Sequence, residues 1–235
     1  MDARQLTARL MALDSGALCD VLDSMGLAQQ VLSSALRPVS PGMRIAGPAF
    51  CIRGASAAGG ANVSPPAGKT KPGFEIDRHL SDGCVAVIET GHHREGAVIG
   101  GNISLSYTRH GCRGAIVDGP VRDVREFEAQ GFMVFATGLS PMSSKGRFAF
   151  VDYDVSISMP GHVCNAVRID PGDYVFADTE GCLAIPSRLV VQVIDDAERL
   201  TKVESEIQKA LHAGTDREKV YAEHNPRAHI VPVTR

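Results

Sequence analysis

Arg122 and Asp123 stand side by side at the end of the run Gly114-Ala-Ile-Val-Asp-Gly-Pro-Val-Arg-Asp123. A guanidinium is a planar, two-pronged partner for a carboxylate. An aspartate is a hard oxygen ligand suited to Mg²⁺ or Mn²⁺. The apolar residues up to Asp118 read as a buried strand, Asp118-Gly119-Pro120 as a sharp turn, and Val124 to Gln130 as the next helix. This order puts the pair at the carboxyl end of a strand, where parallel sheets bind ligands and where helix N–H groups favour an anion. The spacing fits a plainer arrangement equally well: Asp118 or Asp123 caps the helix, and Arg122 is its ion-pair partner.

A second junction of the same kind is Val98-Ile-Gly-Gly-Asn-Ile-Ser104. Gly100 and Gly101 let backbone approach a ligand closely. The N–H groups of Gly101, Asn102 and Ile103 could form an anion nest, or the glycines could make a tight turn with Asn102 as the helix cap. The two junctions follow successive strands, so they belong side by side as one pocket. Just upstream, His92, His93 and Glu95 are either an exposed polar loop or titratable groups at its rim.

The scaffold for these junctions follows from periodicity. Residues 4–13 and 16–25 read as helices, the second capped by Asp14-Ser15 and ended by Gly26. Arg37 to Gly42 is a turn region and Arg44 to Ile52 a strand. Gly54 to Gly73 is rich in Gly, Ala, Ser and Pro and reads as a loop, a surface connection or a lid. Then come a strand over 84–89, a helix over 102–110, a strand over 115–118, a helix over 124–130 and a strand over 133–137. That alternation predicts an α/β class with a parallel core sheet. Strands over 148–158, 165–169, 174–178 and 182–185 predict a second, β-rich layer. Residues 187–212 read as a long amphipathic helix, and the remaining tail as a polar extension or subunit arm.

The 235 residues fit one domain over 1–235. A hydrophobic fraction of 44% suits a globule with a real core. A net charge of −3 lacks the basic field that non-specific nucleic-acid binding needs, so an anionic ligand requires a local cationic pocket. The six cysteines include no CxxC pair, which favours free, mostly buried thiols over a zinc site or disulfides. No apolar run is long enough for a membrane span and no signal peptide stands out, so the expected location is cytoplasmic, with no membrane partner.

Five strings together resemble one family: Ser15 to Gly26, Pro41 to Phe50, Gly114 to Asp123, Gly131 to Gly138 and Pro171 to Gly181. They are similar to the family of the ribonuclease-E activity regulator RraA and the class II 4-hydroxy-4-methyl-2-oxoglutarate/4-carboxy-4-hydroxy-2-oxoadipate aldolases. The likeness spans most of the chain and is poor over 54–79. It implies a three-layer β/β/α, swivelling-domain-like fold, and a homotrimer or dimer of trimers with sites at protomer interfaces. It further implies that Arg122 binds substrate carboxylate and that Asp123 holds a divalent metal, Mg²⁺ or Mn²⁺, partly through waters. The loop Gly100 to Ile103 would donate N–H groups to a pyruvyl carboxylate. A neighbouring subunit would add an acid, Glu198 or Glu204. One departure stands out: where the aldolases carry an acid in the loop, this chain has Gly101. His92, His93 or Glu95 could take its place.

The resemblance thus implies a metal-dependent carbon–carbon lyase acting on a small pyruvyl-type oxo-acid through a pyruvate enolate, as an aldolase, an oxaloacetate decarboxylase or both. Aldol cleavage needs a base at the C4 hydroxyl, whereas decarboxylation does not. With Gly101 in place of the acid, decarboxylation is expected to survive where aldol cleavage fails. The alternatives are a non-catalytic RraA-like regulator that binds a protein partner, and a related lyase with a different substrate.

Overall fold

A computed structural model describes residues 1–57, 67–68 and 71–233. The chain opens with α1 (Ala3–Leu10), whose cap Asp2 exchanges hydrogen bonds with Gln5, and α2 (Ser15–Ser24), where Asp14 accepts from Ala17 N. Next come β1 (Arg37–Pro38), β2 (Ile45–Ser56), the single turn α3 (Pro72–Glu75) and β3 (Val85–Glu89). The loop and lid reading of 54–73 falls largely on residues 58–66, 69 and 70, outside the described residues; Gly54 to Ser56 extend β2 instead.

The middle of the chain is strand and helix in turn: α4 (Gly101–Arg109), β4 (Gly114–Val121), α5 (Val124–Gln130) and β5 (Met133–Leu139). Each helix stops at a glycine that takes positive φ, Gly111 at 85° and Gly131 at 64°. β2, β3, β4 and β5 pair in parallel, which confirms the α/β class and the parallel core. Strands covered on both faces are continuous apolar runs, and β4 is buried at all eight positions. β1 closes the β5 edge in antiparallel fashion.

Then follow β6 (Phe148–Tyr153), β7 (Ile157–Pro160), β8 (Ala166–Ile169), β9 (Tyr174–Ala177), β10 (Cys182–Ile185), α6 (Val190–His212) and α7 (Arg217–Glu223). The expected strand over 148–158 is two strands broken at Asp154, which has a φ of 56°. The later strands are also joined to the core sheet. The first half of β2 pairs with β9, and its second half with β6. Only β7 and β8 form a separate ribbon.

Two apolar clusters result. One lies around β3, β4 and β5 under α4 and α5; the other packs α1, α2 and α6 on β9 and β10. The tail does not extend away as an arm. α7 buries Val220, Arg227 pairs with Asp20 at 2.6 Å, and Val233 N donates to Met25 O at 3.0 Å.

Candidate functional site

The expected turn at Asp118-Gly119-Pro120 is absent. β4 runs on to Val121, with a register shift against β5 between Val117 and Pro120. Gly119 makes this possible, because a Cβ there would lie 3.0 Å from Val98 Cγ2 and 3.3 Å from Thr90 Cγ2. The strand therefore delivers Arg122 and Asp123 directly to the start of α5. Arg122 N donates to Ile99 O, which ties this end of β4 to the loop before α4.

Asp123 occupies the cap position of α5 but does not cap it. Its backbone is left-handed, with φ 66° and ψ 41°, and its side chain makes no cap bond. Instead Gly101 N donates to Asp123 Oδ2 at 3.0 Å, and Arg122 Nε lies 3.5 Å from the same oxygen. Asp123 Oδ1 and the two Nη groups of Arg122 make no hydrogen bond among the described residues. The Arg122 and Asp123 side chains are 42% and 35% exposed, so these atoms are open to solvent. The helix-cap alternative for Asp123 is thereby corrected, while its pairing with Arg122 is retained.

Gly100 lies against both side chains. A Cβ there would lie 2.5 Å from Asp123 Oδ2, 3.2 Å from Arg122 Cγ and 3.3 Å from Arg122 Nε. The anticipated nest of three N–H groups is reduced. Gly101 N is used by Asp123, and Ile103 N turns back to Gly100 O at 3.1 Å. Of the three, Asn102 N–H alone carries no hydrogen bond among the described residues. Asn102 is not the cap either, since it lies inside α4 behind the cap Gly100.

The upstream groups separate cleanly. His93 is buried: Gly96 N donates to its Nε2, and its Nδ1 lies 3.2 Å from Ser56 Oγ. With Nε2 accepting, the bonding places a proton on Nδ1, a tautomer inferred from these contacts. His93 is thus a structural residue. His92 is exposed at φ 61°, with Nδ1 3.7 Å from Asp118 Oδ2. Burial pushes the Asp118 carboxyl above the usual range, an effect that neighbouring His92 partly offsets. Glu95 is exposed. Of the two candidate acids, both on α6, Glu198 is clamped by Arg9 at 2.8 Å through both oxygens and its carboxyl is held below the usual range by that bond. Glu204 is not so held, and burial, followed by the charges of Asp20 and Asp14, pushes it up.

One residue not anticipated from the sequence belongs to this corner. A Cβ at Gly101 would fall on the Glu126 carboxylate, and would lie 3.0 Å from Glu126 Cβ. Spacing offered a faint signal, since Glu126 stands one turn after Asp123 on the same face of α5. Among the described residues, no three His, Cys, Asp or Glu side chains gather into a ready-made metal cage.

A family model described as RraA-like, Aldolase/RraA, matches residues 15–184. DlpA of Legionella pneumophila is 28% identical over 221 residues, which are 91% of this chain and 33% of DlpA. A Burkholderia multivorans protein provisionally named a 4-hydroxy-4-methyl-2-oxoglutarate aldolase is 30% identical over 160 residues, 68% of this chain and 87% of that protein. The chain spans 56% and 59% of the length of two further relatives. Among solved structures, Streptomyces coelicolor RraAS2, described as an unusual member of the RNase ES inhibitor RraA protein family, superposes with a TM-score of 0.72 at 21% identity, over 87% of this chain and 96% of that one. At that identity the likeness speaks for the fold alone.

Proposed function

Because the chain belongs to the RraA-like family of aldolases and RraA proteins, we propose that it is a divalent-metal-dependent lyase that cleaves a carbon–carbon bond of a pyruvyl-type oxo-acid. The observation that carries this reading is Asp123, held left-handed with Oδ2 engaged and Oδ1 open beside Arg122. A mere helix cap needs none of that. One open carboxylate oxygen without a cage suits Mg²⁺ or Mn²⁺, which keep several waters and take one or two protein carboxylates. Such a cation, when bound, polarises the 2-oxo group as a Lewis acid.

The chain's own atoms do the rest. The Nη groups of Arg122 bind the substrate carboxylate as a two-pronged donor. Asn102 N–H adds a neutral donor at the start of α4. Gly100, lacking a side chain, lets the substrate lie against backbone. As the C3–C4 bond breaks, charge grows on the pyruvyl oxygen, and the adjacent guanidinium stabilises it. Sites at interfaces of a homotrimer or dimer of trimers are part of the reading, with Glu204 the better candidate than Glu198 for an acid lent to a neighbour, since Arg9 already holds Glu198. The test is metal-dependent release of pyruvate from 4-hydroxy-2-oxo acids and oxaloacetate. No release from either class, with metal supplied, would leave the RraA-type regulator as the better account.

A further inference from the structure

We propose that Glu126 is the proton acceptor for aldol cleavage in this site, placed by α5 where a side chain at position 101 would otherwise stand. The inference rests on the lyase reading above and adds the base that reading lacks. Three side chains converge on the backbone of Gly100 and Gly101. Arg122 and Asp123 lie against Gly100, and the Glu126 carboxylate takes the side-chain volume of Gly101. Glu126 is exposed and makes no side-chain hydrogen bond among the described residues. It differs in this from His93, which Gly96 and Ser56 lock, and from Asp118, which is buried beside His92. An unpaired carboxylate against Gly101, next along the chain from the glycine that Arg122 and Asp123 face, is the group proposed to reach a substrate hydroxyl.

The glycine and the glutamate explain each other. The carboxylate alone could swing away from a side chain at 101. The Cβ-to-Cβ separation of 3.0 Å could not be relieved by any rotation of Glu126, because Cβ moves only with the backbone. Gly101 is therefore the condition for Glu126 to lie against this turn, and on this proposal its lack of an acid is not a loss of the base. The expectation that decarboxylation alone survives is revised accordingly.

The step balances as follows. Glu126 takes the proton of the C4 hydroxyl, and that O–H pair becomes the second bond of a new C4 carbonyl. The C3–C4 bond breaks, and its electrons form the C2–C3 double bond of the enolate while the 2-oxo pair moves onto oxygen. Return of a proton to C3 gives pyruvate, with the C4 fragment leaving as the second oxo-acid. Decarboxylation of oxaloacetate has no hydroxyl proton to remove.

The experiment compares full-length wild type, Glu126→Gln, Glu126→Ala, Gly101→Asp and the pair Gly101→Asp/Glu126→Ala, with Mg²⁺ or Mn²⁺ present. The substrates are 4-hydroxy-4-methyl-2-oxoglutarate and oxaloacetate, and thermal unfolding is followed for every variant. In Glu126→Gln the ratio of kcat for aldol cleavage to kcat for decarboxylation is expected to fall by about 10²-fold or more, the scale of a lost base. Gly101→Asp should lower Tm by roughly 3–10 °C, as overpacking does in a chain of this size. The pair, which keeps the Cβ of residue 126, should recover only the share of that Tm owed to the carboxylate, together with part of the aldol cleavage. An unchanged ratio in Glu126→Gln overturns the inference and leaves the lyase reading standing. So does a wild type that decarboxylates but never cleaves the aldol substrate. A wild type that does neither reaction overturns both.

Discussion

A left-handed aspartate costs about 1 kcal/mol or more, and such strain persists only where its surroundings impose it. At Asp123 the imposing contacts are Gly101 N at 3.0 Å and the guanidinium of Arg122. The site therefore depends on one missing methyl group. Gly100→Ala would set a Cβ 2.5 Å from Asp123 Oδ2 and crowd Arg122. Both targets are partly exposed side-chain ends, so they would move and the fold would stay. Gly100→Ala is expected to lower kcat/KM by roughly 10²-fold or more, the scale of a misplaced catalytic group, with Tm changed by less than about 3 °C. Steady-state kinetics with calorimetry checks this; full activity would remove Gly100 from the pocket. Arg122 and Asp123 were legible in the sequence because their types and their place after an apolar run announce them. Glu126 was not, because its meeting with Gly101 depends on how α4 and α5 sit together. His93 misleads for the opposite reason: its partner Ser56 lies on distant β2 and its bond from Gly96 N is a matter of loop geometry, so a buried, hydrogen-bonded ring reads as a free base.

The elements that carry the site were read with small errors of length. α5 is as expected at Val124–Gln130, and α4 begins one residue early, at Gly101. β4 was cut short because Asp-Gly-Pro is a turn signal in isolation; buried neighbours on both sides carry it through with a register shift. The second β layer was legible as strands but not as partners, since pairing through the long β2 is a tertiary fact. Further from the site, Arg9 on α1 holds Glu198 and Asp195 on α6, at 2.8 Å and 2.7 Å. The bond lowers the Glu198 carboxyl from its ordinary value of 4.5. A depressed folded-state value means stability that is fully present above the unfolded value and lost as pH falls through the folded one. Glu198→Gln should therefore lower Tm near pH 7 by about 1–3 °C, the scale of a partly screened pair. The gap between variant and wild type should close below pH 4.5. An equal gap at every pH would assign the loss to packing instead.

At the scale of the whole molecule, the tail is the clearest departure from what composition suggested. It is polar, yet Val220 and Ile230 are buried and His229 Nε2 lies 3.0 Å from Asp196 O. No helix among the described residues is long and apolar enough to cross a membrane. Large apolar side chains do stand exposed on the elements beside the site: Leu105 on α4, Leu139 on β5 and Met142 just after it. The trimer or hexamer proposed above would have these residues available for its interfaces. Light scattering at micromolar concentration should give three or six chain masses, and a monomer would remove every interface-built part of the site. The central claim concerns chemistry and is tested most directly by pyruvate release from 4-hydroxy-4-methyl-2-oxoglutarate and oxaloacetate, measured with Mg²⁺ or Mn²⁺, with chelator, and with Asp123→Asn. The account predicts pyruvate from wild type with metal, and a loss of about 10²-fold or more on chelation or in Asp123→Asn. Pyruvate formed equally well by Asp123→Asn, or none formed by wild type with either metal, would contradict it.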